Sequence, residues 1–246
     1  MSRWSSPGQR DPDEIAAILK HRAQKSVDYM RDLAARDNDR TCPICGYRGR
    51  FSPHKHKPDI LCPNCDSRPR HRLLKLWMDR QMQLPAGARV VHFAAEAWVR
   101  AEFDRRGAAY QTADINEKFE LRLDLTAMDL PNESYDMLLA NHVLEHVDDE
   151  AAFAEIFRVL KPGGQAVITV PMIEGFDHTY EDPSLTTPAL RQRHYGDADH
   201  RRWYGRDIRE RFARPGFKMT EFTALEPDAA RYALHRGEKI FIGTKP

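Results

Sequence analysis

Residues 135–169, YDMLLANHVLEHVDDEAAFAEIFRVLKPGGQAVIT, decide the fold. A short apolar strand, YDMLLANHV (135–143), runs into a helix over about 148–160. The turn KPGG (161–164) ends that helix, and a second apolar strand, QAVITVPM (165–172), follows. Strand, helix and strand in this order predict two parallel neighbours joined by a crossover. The same rhythm extends upstream through RVVHFA (89–94), a helix, AAYQTADI (108–115) and LRLDL (121–125). The expected fold class is therefore α/β, a Rossmann-like parallel sheet with helices on both faces. Downstream, GRDIRERFARPGFKMTEFTAL (205–225) predicts a helix, a turn at Pro215-Gly216 and a strand, and EKIFIGTKP (238–246) a last strand.

The first third of the chain reads differently. Asp11-Pro12 with Asp13-Glu14 marks a helix start, and Ile15, Ile18, Leu19, Val27, Met30, Leu33 and Ala34 recur at near-helical spacing. All four cysteines then fall within CPICGYRGRFSPHKHKPDILCPNCDSRPRHRLL (42–74), as two CxxC pairs. Each CxxC turn presents two thiolates to one ion, and a second turn completes a tetrahedron, so Cys42, Cys45, Cys62 and Cys65 are expected to hold structural zinc. Gly46 sits after the first pair, where a left-handed residue is useful; Asp66 takes that place after the second. His54 and His56, between the pairs, are expected to be solvated. Leu73, Leu74, Leu76, Trp77 and Met82 mark another helix, ended by Pro85-Ala-Gly87. The basic run from Arg68 through Arg70, His71 and Arg72 is either the wet face of that helix or a phosphate grip. The domains drawn are a leader helix (1–39), a ribbon with its helix (40–84), and a Rossmann-like domain (85–246) with an insert at about 172–204.

Charge and hydropathy exclude some functions. The 38 basic and 37 acidic residues of the 246 nearly cancel, so no global field favours nucleic acid or a membrane surface. No apolar run approaches the length of a membrane span, and MSRWSSPGQRDPDE lacks a signal-peptide core. The expectation is a cytoplasmic chain, where thiols stay reduced and paired cysteines bind metal. Sequence alone leaves the oligomeric state open.

In an open parallel sheet the ligand lies at the carboxyl ends of the strands, near the point where strand order reverses. Those ends read HFAAEAWVR (92–100), Asp114, DLTAMDLP (124–131), ANHVLEHV (140–147) and, before the fifth strand, RVLKPGG (158–164). In this order they resemble the class I S-adenosylmethionine-dependent methyltransferases, particularly the type-11 group, whose sheet has seven strands. The resemblance covers residues 89–174. It implies that Asp114 holds the ribose, that Asp124 and Leu125 flank the adenine, and that Ala94, Ala95 and Glu96 line the methionine end. His92 and Phe93 lead into that turn, and Asn141 and His142 face the cofactor near its sulfonium. An acid and glycines are usual after the first strand; here His92, Ala94, Glu96 and Trp98 stand in their places. The whole chain is similar to a bacterial subgroup with a CPxC ribbon, an R-H-R-L-L helix, an H-F-A-P-E turn and a segment like YEDPSLTTPALRQRHYGDADHRRWYGRD (180–207). Ala95 replaces the usual proline.

Methyl transfer from a sulfonium asks mainly for alignment, with a base where the acceptor is a hydroxyl. His142 and His146 beside the fourth strand, and Tyr195, His200 and Tyr204 in the insert, are candidates. His200 comes first, against the alternative of a surface histidine beside Asp199, whereas His146 reads more readily as a satisfied, partly buried histidine. The expected acceptor is a small molecule or saccharide. An RNA acceptor gripped by the ribbon and basic helix ranks second. A zinc-stabilised binding module without catalysis and a thiol redox enzyme are further readings.

Overall fold

A computed structural model describes residues 12–35, 40–54 and 57–246, so Asp11 and His56 lie outside the described residues. The chain forms two units, residues 1–39 and 40–246. In the first, α1 (Pro12–Ala35) begins at its proline, a position that needs no N–H partner, and leaves Ile15, Leu19 and Val27 exposed. Among the described residues no helix is long and apolar enough to cross a membrane.

The second unit opens with two small hairpins, β1 (Arg40–Thr41) with β2 (Arg48–Gly49) and β3 (Ser52–His54) with β4 (Lys57–Leu61), and then α2 (Pro69–Arg80). The main sheet follows: β5 (Arg89–Phe93), α3 (Ala97–Arg105), β6 (Ala109–Asp114), β7 (Leu121–Arg122), β8 (Tyr135–Asn141), a 3-10 turn (Leu144–His146), α4 (Asp149–Val159) and β9 (Leu160–Thr169). An insert carries β10 (Tyr180–Glu181), α5 (Pro188–Tyr195) and β11 (Arg202–Trp203). The chain ends with α6 (Ile208–Ala213), β12 (Lys218–Thr223), α7 (Asp228–Arg231) and β13 (Lys239–Thr244).

The seven-stranded order is β12-β13-β9-β8-β5-β6-β7. β5 pairs in parallel with both β6 and β8, and β8 with β9; β13 runs antiparallel between β9 and β12. The chain steps outward from β5 through β6 to β7, then returns to β8 on the other side of β5. The switch point therefore lies between the ends of β5 and β8. The expected turn at KPGG is instead part of β9, which starts at Leu160 and shifts register opposite Tyr135 and Met137. Gly164 is packed there too closely for a side chain: a Cβ would stand 2.8 Å from the Lys161 carbonyl oxygen.

The two sheet faces carry separate apolar clusters. On one, Phe153, Ile156 and Val159 of α4 meet Ile208 and Phe212 of α6 over Leu138 and Ile168. On the other, Leu73, Leu74, Trp77 and Met78 of α2 pack with Val99 and Phe103 of α3 over Val90 and Met137. Residue 84/85, drawn as a domain boundary, is thus not a seam in the packing, because α2 supplies part of the core of the sheet. Within the basic run, Arg72 departs from both readings. Arg72 is fully buried: its Nε donates to the Tyr232 carbonyl (2.7 Å), one terminal nitrogen to the Ser67 and Ile60 carbonyls, and the other to Ala233 (2.7 Å). Its guanidinium also lies 4.6 Å from the Phe51 ring centroid.

Candidate active site

The carboxyl end of β5 places His92 fully inside the sheet, where Nδ1 meets the Tyr110 hydroxyl at 2.8 Å. On its other side Asn141 Nδ2 donates to His92 Nε2 at 3.3 Å, and Thr169 Oγ1 donates to Asn141 Oδ1 at 3.2 Å. These three residues stitch β5, β8 and β9 together at the switch point. Phe93 and Leu125 bury their side chains in the core, so only their backbone groups are available to a ligand. Ala94 follows with φ 50°, the left-handed region usually left to glycine. The turn thus keeps a glycine-like backbone without the glycine. Its amide donates to the Ala113 carbonyl at 3.0 Å, which sets Ala94 beside Asp114 at the end of β6.

Asp114 is half-buried, and its Oδ1 accepts from the Asn116 amide and side chain at 2.9 and 2.6 Å. Asp124 is exposed and accepts from the Thr126 amide at 2.8 Å, capping a turn. Ala95 and Glu96 lead into α3; the Glu96 side chain makes no cap hydrogen bond to it, and of the first-turn amides that of Val99 donates to the Glu96 carbonyl at 3.0 Å. Left-handed Ala94, the α3 N-terminus and Asp114 fit the methionine end and ribose of S-adenosylmethionine. Glu96 Oε2 approaches His92 Nε2 at 3.3 Å, and Oε1 lies 3.7 Å from His71 Nε2, so α2 reaches the same turn. His71 Nδ1 accepts from the Arg68 amide, and burial lowers its pKa to about 4.

Past β8, His142 also adopts a left-handed backbone (φ 54°), its amide donating to the Thr169 carbonyl at 2.8 Å. Its Nδ1 lies 3.1 Å from Glu145 Oε1, and the Glu145 side chain is fully buried. The insert brings His200 to the same place: the rings of His146 and His200 meet edge to face with centroids 4.8 Å apart, and Trp203 packs beyond. Arg202 fixes this approach. Its guanidinium, 4% exposed, donates to the Leu144 and Val147 carbonyls at 2.9 and 2.7 Å and to Glu181 Oε2 at 2.7 Å. The Arg201 amide adds a bond to the Glu145 carbonyl at 2.8 Å. Burial lowers the pKa of His200. Tyr195 and Tyr204 are buried, their hydroxyls engaged with the Asp182 amide and with Asp149. Glu145, which sequence reading passed over, is the residue that joins these histidines; its one signal was its place between His142 and His146.

A cavity of about 860 Å3 adjoins this cluster. His142, Val170 and Pro171 line it at the ends of β8 and β9, with Met172, Glu174 and Trp203 of the insert, Arg68 and Arg70 of the α2 entry, and Arg236 to Lys239 at the start of β13. His54 lines it as well, rather than standing in open solvent. Lys57, Arg68, Arg70, Arg236 and Lys239 line it together with Glu174 and Glu238; Arg236 pairs with Glu226 and Lys239 lies 3.6 Å from Glu221 Oε2, and burial raises the pKa of Glu238.

In the ribbon both CxxC turns have one geometry. The Gly46 amide donates to the Cys42 carbonyl and the Asp66 amide to the Cys62 carbonyl, and Gly46 and Asp66 both take positive φ, as expected. The four Sγ atoms lie within 4.8 Å of one another, with Cys42–Cys65 at 3.7 Å and Cys45–Cys62 at 3.6 Å. Zinc with Zn–S bonds of about 2.3 Å needs thiolates roughly 3.8 Å apart, so the set fits tetrahedral zinc.

Comparison with known proteins agrees with this plan. Residues 87–168 match the model of a methyltransferase domain, Methyltransf_11. No curated protein matches the chain. Among solved structures, an S-adenosylmethionine-dependent methyltransferase from Mesorhizobium loti aligns at 15% identity with TM-score 0.53, over 71% of this chain and 98% of that one. A chain of a Haloferax volcanii complex containing the Trm112 methyltransferase activator aligns at 17% identity and TM-score 0.51, over 72% and 91%. Phosphoethanolamine N-methyltransferase 2 of Haemonchus contortus, solved with S-adenosyl-L-methionine, aligns at 14% identity and TM-score 0.51, over 72% and 52%. At these identities the structures speak for the fold alone, and the domain match covers residues 87–168, a third of the chain. Residues 87–168 are therefore similar to a methyltransferase domain, and the chain shares the fold of solved S-adenosylmethionine-dependent methyltransferases.

Proposed function

We propose that the chain methylates a small anionic acceptor, such as a phosphorylated or carboxylated molecule or saccharide, bound in the cavity beside His142. The cavity carries the reading: about 860 Å3 suits a small ligand, and Lys57, Arg68 and Arg70 line it beside Arg236 and Lys239, which are paired with Glu226 and Glu221. It lies at the ends of β8 and β9, next to the turn that fits the cofactor. When bound, S-adenosylmethionine supplies a methyl group already activated on its sulfonium. Asp114 then accepts hydrogen bonds from the ribose, while Asp124 and the Leu125 backbone border the adenine. The backbone from Phe93 to Glu96 holds the methionine end, and Asn141 fixes His92 beneath it.

The chain's remaining task is to align the acceptor and receive its proton. We assign the proton to His142, because it lines the cavity and buried Glu145 holds its Nδ1, leaving Nε2 for the acceptor. His200 and His146, candidates from sequence, stand behind it. The zinc of Cys42, Cys45, Cys62 and Cys65 scaffolds the wall that carries Arg68 and Arg70. With Arg72 spent on backbone carbonyls, the basic run has less to offer an RNA.

Calorimetric titration with S-adenosylhomocysteine tests the cofactor half, and a methyl-transfer screen of sugar phosphates and small carboxylic acids tests the acceptor half. Micromolar binding with turnover of an anionic acceptor, lost in Arg70→Ala, is expected. No binding by calorimetry and by a second method would favour a non-catalytic module; turnover of structured RNA alone would replace the small acceptor.

A further inference from the structure

We infer that Glu145, His146 and His200 bind a divalent transition-metal ion, distinct from the zinc of the ribbon, in the wall behind His142. One carboxylate oxygen of Glu145 and one ring nitrogen from each histidine lie within 4.8 Å of one another. Ligands of one ion stand roughly 3 to 3.5 Å apart, a closure that small imidazole rotations supply. Two independent observations point to a missing partner. The Glu145 side chain is fully buried, and its Oε2 has no hydrogen-bond partner although Oε1 meets His142. His200 Nδ1 is likewise buried and unpartnered. An unpaired buried carboxylate oxygen is costly, and a cation between it and two imidazoles removes that cost.

The donor set selects the ion. Two imidazoles with one carboxylate suit zinc, iron(II), manganese or nickel, and three protein ligands leave positions for water or for an oxygen of a ligand in the adjoining cavity. The architecture holds the set together from both sides. Glu145 and His146 share the short turn after β8, while Arg202, bonded to the Leu144 and Val147 carbonyls, clamps the insert so that His200 meets them. Glu145 also ties the ion to His142, so metal binding would set the orientation of the cavity's own imidazole.

Metal content per chain, measured on the purified protein after dialysis and again after incubation with Zn2+ or Mn2+, tests the inference without any acceptor. Two bound ions are expected in the unaltered protein. Glu145→Gln and the double variant His146→Gln/His200→Gln should each lose the second ion, with affinity down by at least 100-fold, while keeping the ribbon zinc. Manganese separates the sites further, because four thiolates do not favour it. An unaltered protein that takes up no ion beyond the ribbon's overturns the inference even if the variants fail to fold; so does full uptake by the double variant. Binding of S-adenosylhomocysteine, measured alongside, keeps failure of the methyltransferase reading separate from failure of this one.

Discussion

Arg72 of α2 stacks its guanidinium 4.6 Å from the centroid of Phe51 in the ribbon, and both are buried. The same guanidinium is bonded to carbonyls of β4, of the second CxxC turn and of the segment after α7. Ribbon, sheet-covering helix and C-terminal segment are therefore joined through one side chain. Replacing it with methionine leaves those buried carbonyls without donors. Arg72→Met should cost about 3 to 5 kcal/mol of stability, read from the denaturant midpoint. A loss below roughly 1 kcal/mol would mean that water replaces the guanidinium.

The four thiolates predict a joint loss. Cys62→Ser removes a ligand from a set spaced for one ion, so bound zinc and melting temperature should fall together. A variant that is zinc-free yet melts like the parent would show that the ribbon stands without metal.

His71 predicts a pH dependence. Burial lowers its pKa from 6.5 to about 4, so on acidification the unfolded chain takes up this proton before the folded one does. The contribution of His71 to stability is complete above pH 6.5 and is lost as the pH falls from 6.5 to 4. About 3 kcal/mol is at stake. His71→Gln, which can still accept from the Arg68 amide, should flatten the urea-midpoint profile across that window; an unchanged profile would assign the acid sensitivity to other groups.

Asp114 gives the direct test of the cofactor cleft. One of its oxygens is engaged with Asn116 and the carboxylate is half-buried at the strand end. Asp114→Ala should weaken S-adenosylhomocysteine binding about tenfold or more, since a hydrogen bond to a charged group contributes roughly 1.5 to 3 kcal/mol. Equal affinity in the two proteins would take the ribose away from this residue.

Much of the fold was legible because its signals are local. Apolar runs of strand length, the proline at the start of α1 and the doubled CxxC turns each act within a few residues. What was missed depends on distant partners. Arg72 reads as part of a solvated face or a phosphate grip until the carbonyls of Tyr232 and Ala233, far along the chain, close around it. Tyr195 and Tyr204 read as site residues by composition, yet both are core of the insert. Glu145 looked like an ordinary member of VLEHV, because the histidine that completes its surroundings comes from the insert. At the first-strand turn no glycine marks the left-handed backbone, yet Ala94 adopts it at a cost of about 1 kcal/mol.

The sharing of one apolar wall by α2 and α3 bears on how this protein can be cut or recombined. The segment that matches the methyltransferase domain, residues 87–168, contains α3 but neither α2 nor β12 and β13. Expressed from residue 85 onward, the chain would present Val90, Val99, Phe103 and Met137 to water where Leu73, Leu74 and Trp77 had covered them. Such a fragment is a candidate for inclusion bodies. The ribbon is thus tied to the main sheet through α2, and a chimera that exchanges it must carry α2 and its Arg72 contacts across intact.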